Sequence, residues 1–184
     1  MDKRILKTKA AIYSSLADLL LEKDFDDLSV EDILERSGVS RSTFYAHFKT
    51  KGDVLDSISR NIFDHVFSHG LSKEHSHDFS AASIFEYETF FVHILYHLKD
   101  EEKLIHAILL SSCKQRFFKD LREKMTSLVH HCIHDGLFTR KDVPEDYQVR
   151  SIVESFLSLI EYWFATNLAE TPEKTASYFI AINK

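Results

Sequence analysis

The sequence predicts an all-α protein, with a small three-helix helix-turn-helix unit at its start and a larger helical domain behind it. Three observations lead there. Gly and Pro number only four and two in 184 residues, too few for many short strands and tight turns. Phe, Leu and Ile recur at three- and four-residue spacing through most of the chain. Residues 29–51, SVEDILERSGVSRSTFYAHFKTK, read as two short helices joined by a tight turn. About nine helices are expected, divided into a domain over 1–51 and a second over 52–184.

A first helix is expected over about 3–23, with Ile5, Ile12, Leu16, Leu19 and Leu20 as its buried stripe. The connection Asp24-Phe25-Asp26-Asp27 follows. Ser29 can N-cap a second helix over 29–37, with Asp32 near its positive end. Gly38 sits where a helix ends with positive φ, and Val39 can plug the turn. Ser40 caps a third helix, expected over 41–48, whose Phe44 and Phe48 form an i, i+4 core pair. Its other side carries Arg41, Ser42, Tyr45 and His47, which are hydrogen-bonding and partly aromatic, without a carboxylate. Major-groove readout asks for such a helix.

The segment GVSRSTFYAHFKTKGDVL resembles the DNA-binding segment of the TetR family of bacterial transcription regulators. That family's pattern is G-V-S-x-x-T-x-Y-x-H-F-x-x-K-x-x-L, and Gly38, Val39, Ser40, Thr43, Tyr45, His47, Phe48, Lys51 and Leu55 fall on it. The resemblance implies double-stranded DNA as partner. Arg41 is then the best candidate to read a base, most plausibly guanine, with Ser42 and Tyr45 beside it. Thr43, His47 and Lys51 are assigned to phosphates. Thr8 lies near Lys3, Arg4, Lys7 and Lys9 at the start of the first helix, which in the family touches the DNA backbone; a solvated charged helix start explains the same residues. Glu31 has two readings: a partner of its own helix dipole, or an acceptor from a cytosine amine or a recognition-helix Arg. The family commonly has Gly at position 24, and Asp tolerates the left-handed conformation next best.

Net charge is −6, which looks wrong for a DNA binder, but its distribution matters more than its sum. Residues 1–51 hold nine Lys/Arg and nine Asp/Glu, so the acidity lies in 52–184. The basic residues cluster at 3–9 and 41–51, and phosphate contacts there would make binding salt-dependent. No apolar run approaches the roughly 18 residues of a membrane span. Residues 1–9 precede no apolar h-region, so no signal peptide is expected. Cys113 and Cys132 show no CxxC spacing and no disulfide framework, which points to a reducing cytoplasm.

Beyond 51, apolar stripes predict helices over about 52–70, 80–99, 101–110, 113–134 and 145–167, with a polar loop over 68–80. A last helix starts at Thr171 as N-cap with Pro172 at N1. The helix over 145–167 is apolar on more than one side, which calls for more than one neighbour. The stretch DYQVRSIVESFLSLIEYWFATNLAETPEKTASYF resembles the C-terminal domain common among Firmicutes members of the TetR family. That resemblance implies a homodimer formed by the last two long helices, with Val153, Leu157, Ile160, Phe164 and Phe179 at the interface. Two-fold symmetry then implies a pseudo-palindromic operator. It also implies an unknown small-molecule effector rather than a cofactor. Aromatic and polar residues on the helices used for such pockets are Tyr87, Phe90, His97, Phe117, Tyr162 and Trp163; each could equally be plain core.

Eleven histidines include the i, i+4 pairs His65/His69, His93/His97 and His130/His134. A metal sensor using these pairs, with Cys132 or Glu88, is one reading. Scattered surface and pocket histidine is the other, and no metal site is assigned. No G-x-S-x-G, phosphate loop or H-E-x-x-H is present, so an enzyme is not expected. The leading expectation is a dimeric, ligand-responsive transcription regulator, usually a repressor in this family. The alternatives are a regulator controlled by a protein partner and a metal-responsive one.

Overall fold

The computed structural model describes residues 3–68 and 87–184, apart from the side chains of His65 and Ser68. Nine helices account for the regular structure among these residues: α1 (Lys3–Leu20), α2 (Val30–Ser37), α3 (Arg41–Tyr45), α4 (Lys51–Ser68), α5 (Tyr87–Asp100), α6 (Glu102–Leu110), α7 (Lys114–His134), α8 (Glu145–Ala165) and α9 (Pro172–Asn183). The expected loop at 69–80, and the start of a helix at 80–86, lie outside the described residues. No helix among the described residues is long and apolar enough to cross a membrane.

The chain forms two compact units, residues 1–61 with 101–117, and residues 62–100 with 118–184. In the first, α1 packs on both α2 and α6. Its core holds Ile12, Leu16, Ile33, Phe44, Phe48, Val54, Leu55 and Ile58, each at most 4 % exposed. Polar links fasten the turn after α1 to the end of α6. The Phe25 N–H donates to Ser111 Oγ at 3.1 Å, and the Ser112 hydroxyl donates to Asp24 Oδ1 at 2.5 Å. Asp24 does not use the left-handed backbone; among the described non-glycine residues only Asn167 and Leu168 have positive φ. Its carboxylate accepts instead from the N–H groups of Asp26 and Ser112, both at 3.1 Å. A side chain that Gly lacks thus does the work at position 24. Gly52 lies against Arg116, so close that a Cβ there would stand 2.7–2.9 Å from the guanidinium. That guanidinium is held by Asp56 through two hydrogen bonds of 2.7 Å.

The second unit is built around four fully buried phenylalanines. Phe91 of α5, Phe138, Phe156 of α8 and Phe179 of α9 have ring centroids 4.7–6.1 Å apart in tilted and edge-on pairs. α9 packs on α5 and α8. Thr171 caps α9 by accepting from the Lys174 N–H, with Pro172 at the first helical position. Asn167 and Leu168, at φ 53° and 51°, close α8 with a bond from the Leu168 N–H to the Trp163 carbonyl.

The five residues expected at a dimer seam are part of this interior. Val153, Leu157, Ile160, Phe164 and Phe179 are 0–2 % exposed within the single chain. The extra apolar side of α8 is thus covered within the single chain. The side of α8 that faces out carries Tyr147, Ser151, Ser158 and Tyr162, and Ala181 and Ile182 face out from α9.

Candidate nucleic-acid interface

α2, the turn and α3 are locked by local hydrogen bonds that their sequence encodes. Ser29 and Asp32 form a reciprocal capping box: Ser29 Oγ accepts from the Asp32 N–H at 3.1 Å, and Asp32 Oδ2 accepts from the Ser29 N–H at 2.7 Å. The Ser29 hydroxyl, which donates to Asp32 Oδ2 at 2.7 Å, then Lys23 and the Ser29 N–H hold the Asp32 carboxyl far below its ordinary value. Gly38 has φ 66° and donates its N–H to the Leu34 carbonyl, ending α2 in the left-handed conformation that glycine adopts at least cost. Ser40 then caps α3, accepting from the Thr43 N–H at 3.2 Å. Its hydroxyl also meets those of Ser42 at 3.1 Å and Thr43 at 2.8 Å.

α3 is shorter than its sequence pattern suggests. It ends at Tyr45, and residues 46–47 form a turn in which the His47 and Phe48 N–H groups both reach the Phe44 carbonyl. The mixed i−3 and i−4 bonding tightens the end of the helix. Phe44 and Phe48 stay buried, 5.7 Å apart, and fix the rotation of the helix on its support. Arg41, Ser42 and Tyr45 are thereby left exposed, and Thr43 and His47 half-buried. The Tyr45 ring stands edge-on to Phe44 at 5.5 Å and is 46 % exposed.

Glu31, whose role two readings left open, is an acceptor for the recognition-helix arginine. Arg41 donates to Glu31 Oε1 at 2.7 Å, both side chains being well exposed. Such a surface pair contributes at most about 1 kcal/mol. A bidentate guanine contact discriminates by roughly 1–3 kcal/mol and outweighs it.

Lys51, expected at a phosphate, is bound to the turn before α2. Its ammonium donates to three backbone carbonyls: Phe25 at 2.6 Å, Asp26 at 2.9 Å and Leu28 at 2.6 Å. It also lies 4.9 Å from the centroid of the Phe25 ring. An ammonium has three donors, and all three are engaged here. Lys51 ties the turn before α2 to the start of α4. Beside it, Thr50 and Asp53 form a second capping box that the T-x-x-D spacing signals: Asp53 Oδ2 accepts from the Lys49 and Thr50 N–H groups, and Thr50 Oγ1 from the Asp53 N–H. At the start of α1, Lys3, Arg4 and Lys7 are exposed and Thr8 is half-buried. Lys9 reaches back to lie 5.8 Å from the Phe48 ring.

The residues expected to line an effector pocket do not share one environment. Phe117 is buried in the first unit, where its carbonyl accepts from Ser59. In the second unit Tyr162 is 59 % exposed, and Trp163 is core, its indole N–H donating to the Glu170 carbonyl at 2.9 Å. Tyr87, Phe90 and His97 lie half-buried on α5. The Tyr87 phenol donates to Asp135, which pushes its pKa up to about 12. Cys132 is buried, and burial raises its thiol to about 12, while Glu88 pairs with Lys184 at 3.4 Å. No group of three or more potential metal-binding side chains forms among the described residues.

A short helix held on a support helix by buried aromatics, and showing an arginine, hydroxyls and a tyrosine to solvent, defines a helix-turn-helix DNA-binding protein. Comparison with known proteins agrees. Residues 9–58 match the family described as bacterial regulatory proteins, tetR family, and residues 86–184 match the one described as transcriptional regulator C-terminal region. A TetR transcriptional regulator from Streptococcus agalactiae 2603V has a similar structure, with TM-score 0.73 and 28 % identity, covering 100 % of this chain and 97 % of that one. The uncharacterized HTH-type transcriptional regulator YxbF of Bacillus subtilis (strain 168) is 27 % identical over 113 residues, 61 % of this chain and 25 % of YxbF. YdeS, another uncharacterized HTH-type transcriptional regulator of that strain, is 46 % identical over 48 residues, 26 % of this chain and 24 % of YdeS. The matched segments span about a quarter of the length of these curated relatives. This chain belongs to the TetR family, and it is a DNA-binding transcriptional regulator.

Proposed function

We propose that the protein is a dimeric repressor whose operator binding is modulated by a small molecule held in the C-terminal region. In this reading residues 1–51 read DNA, and residues 52–184 pair two copies and sense the effector. The observation that carries it is the outer side of α3. Arg41, Ser42 and Tyr45 are exposed together on a helix without a carboxylate, while Phe44 and Phe48 hold it from behind. Arg41 leaves Glu31 for a guanine edge, or shares it while Glu31 accepts from a neighbouring cytosine amine. Ser42 and Tyr45 complete the base contacts, and Thr8, Thr43 and His47 position the phosphates.

The dimer uses the outward sides of α8 and α9. Tyr147, Tyr162 and Ile182 are 59–76 % exposed there, and such apolar and aromatic area suits a second copy with two-fold symmetry. The effector sits against α5, near the half-buried Tyr87, Phe90 and His97. It acts by binding better to the arrangement that spaces the two recognition helices wrongly for DNA. The test is binding of purified protein to DNA from just upstream of its own gene at two salt concentrations. Tight binding that falls steeply with salt, and retains a two-fold symmetric footprint, is expected. Affinity no better than for a random fragment, there and across a selected random-sequence pool, refutes the reading.

A further inference from the structure

We propose that His93 and His97 form a two-imidazole chelate for a divalent transition metal, with water in the remaining positions. They are one turn apart on α5, and their Nε2 atoms stand 3.1 Å from each other. The other pairs differ. His130 Nδ1 faces Glu145 at 3.1 Å, whereas His134 Nδ1 faces Asp135 at 3.0 Å, so those rings turn to separate carboxylates. The pair at 65 and 69 lies outside the described residues.

The geometry of the rings argues for a shared ion. With metal–nitrogen distances of about 2.05 Å, a 3.1 Å separation gives a nitrogen–metal–nitrogen angle of about 98°. That lies between the ~90° of neighbouring positions in square-planar or octahedral ions and the ~109° of a tetrahedron, so the pair fits Cu2+, Ni2+ or Zn2+. In the metal-free chain the two Nε2 atoms hydrogen-bond to one another, which holds both rings in the register that a shared ion needs. The centroids are 4.8 Å apart. His93 is fully buried, which excludes competing solvent on its side, and the half-buried His97 gives the ion its way in. Neutral imidazole is the binding form, so protons compete with the metal.

The experiment is calorimetric titration of Cu2+ and Ni2+ into the metal-stripped full chain, with the visible absorption of bound Cu2+ as a second readout. One high-affinity equivalent per chain is expected. His97→Ala should weaken it at least tenfold. His97 is chosen because His93→Ala would open the core, and a far-UV melt confirms that the variant is folded. His130→Ala and His134→Ala should leave the affinity unchanged. Absence of saturable binding, equal affinity in folded His97→Ala, or a site that moves with His130 and His134 would each overturn the proposal. None of these readouts uses DNA, so the result stands apart from the operator experiment.

Discussion

Lys51→Met removes an ammonium and keeps most of the stem that carries it. The change deletes three hydrogen bonds to the carbonyls of Phe25, Asp26 and Leu28, two of them partly shielded from water, together with the contact over the Phe25 ring. A net contribution of about 0.5–1 kcal/mol for each bond is reasonable where water can replace the donor. The ring contact adds roughly 0.5–1 kcal/mol. The expected loss is therefore about 2–4 kcal/mol, or roughly 4–16 °C in Tm for a chain of this size. The assay is a thermal melt followed by operator binding at several salt concentrations, in the variant and in Lys49→Ala. If Lys51 clamps the turn, Lys51→Met melts early, and below its melting temperature the slope of log affinity against log salt stays as in the parent. A phosphate ligand behaves in the opposite way: Tm holds and the slope falls by about 0.9. The second outcome would refute the clamp.

Arg41→Ala should cost about 1–3 kcal/mol of operator affinity and relax the choice of one base, read by binding to a set of single-position operator variants. Ile182→Glu, at a position 76 % exposed, should leave the fold intact and shift the protein from dimer to monomer in light scattering after size exclusion. Asp32→Asn should flatten the acid limb of the stability curve. The folded-state pKa of Asp32 lies well below its ordinary 3.8, so its stabilisation is present above that value and is lost as pH falls below it; urea melts between pH 3 and pH 6 measure the change.

Much of the DNA-binding unit was legible because its signals are local. The Ser29 cap, the left-handed Gly38 and the Ser40 cap each involve residues within four positions of one another. The early end of α3 was less so, because Phe48 keeps its core contact with Phe44 whether or not the intervening turn is helical. The carbonyl contacts of Lys51 were illegible for a different reason. Its partners lie 23–26 residues earlier, and they are backbone carbonyls that no side-chain pattern advertises. A second apolar side on α8 shows only that the helix has a second neighbour, not whether the neighbour belongs to the same chain. Leu157 and Phe164, on that side, are already buried within the single chain. The division at 51/52 rested on where the motif ends, whereas α6 and the first residues of α7 belong to the same compact unit as α1–α3.

The contact between Gly52 and Arg116 makes two distant positions dependent on one another. A methyl group at 52 would push the guanidinium away from Asp56, so Gly52→Ala sacrifices an ion pair as well as space. Among relatives, a side chain at the first position should therefore accompany a shorter residue at the second, and Asp56 should then be released to vary. Substituting Gly52 and Arg116 together should be less damaging than the two single changes would sum to. Gly52, Asp56 and Arg116 should in this sense be inherited as a unit rather than residue by residue.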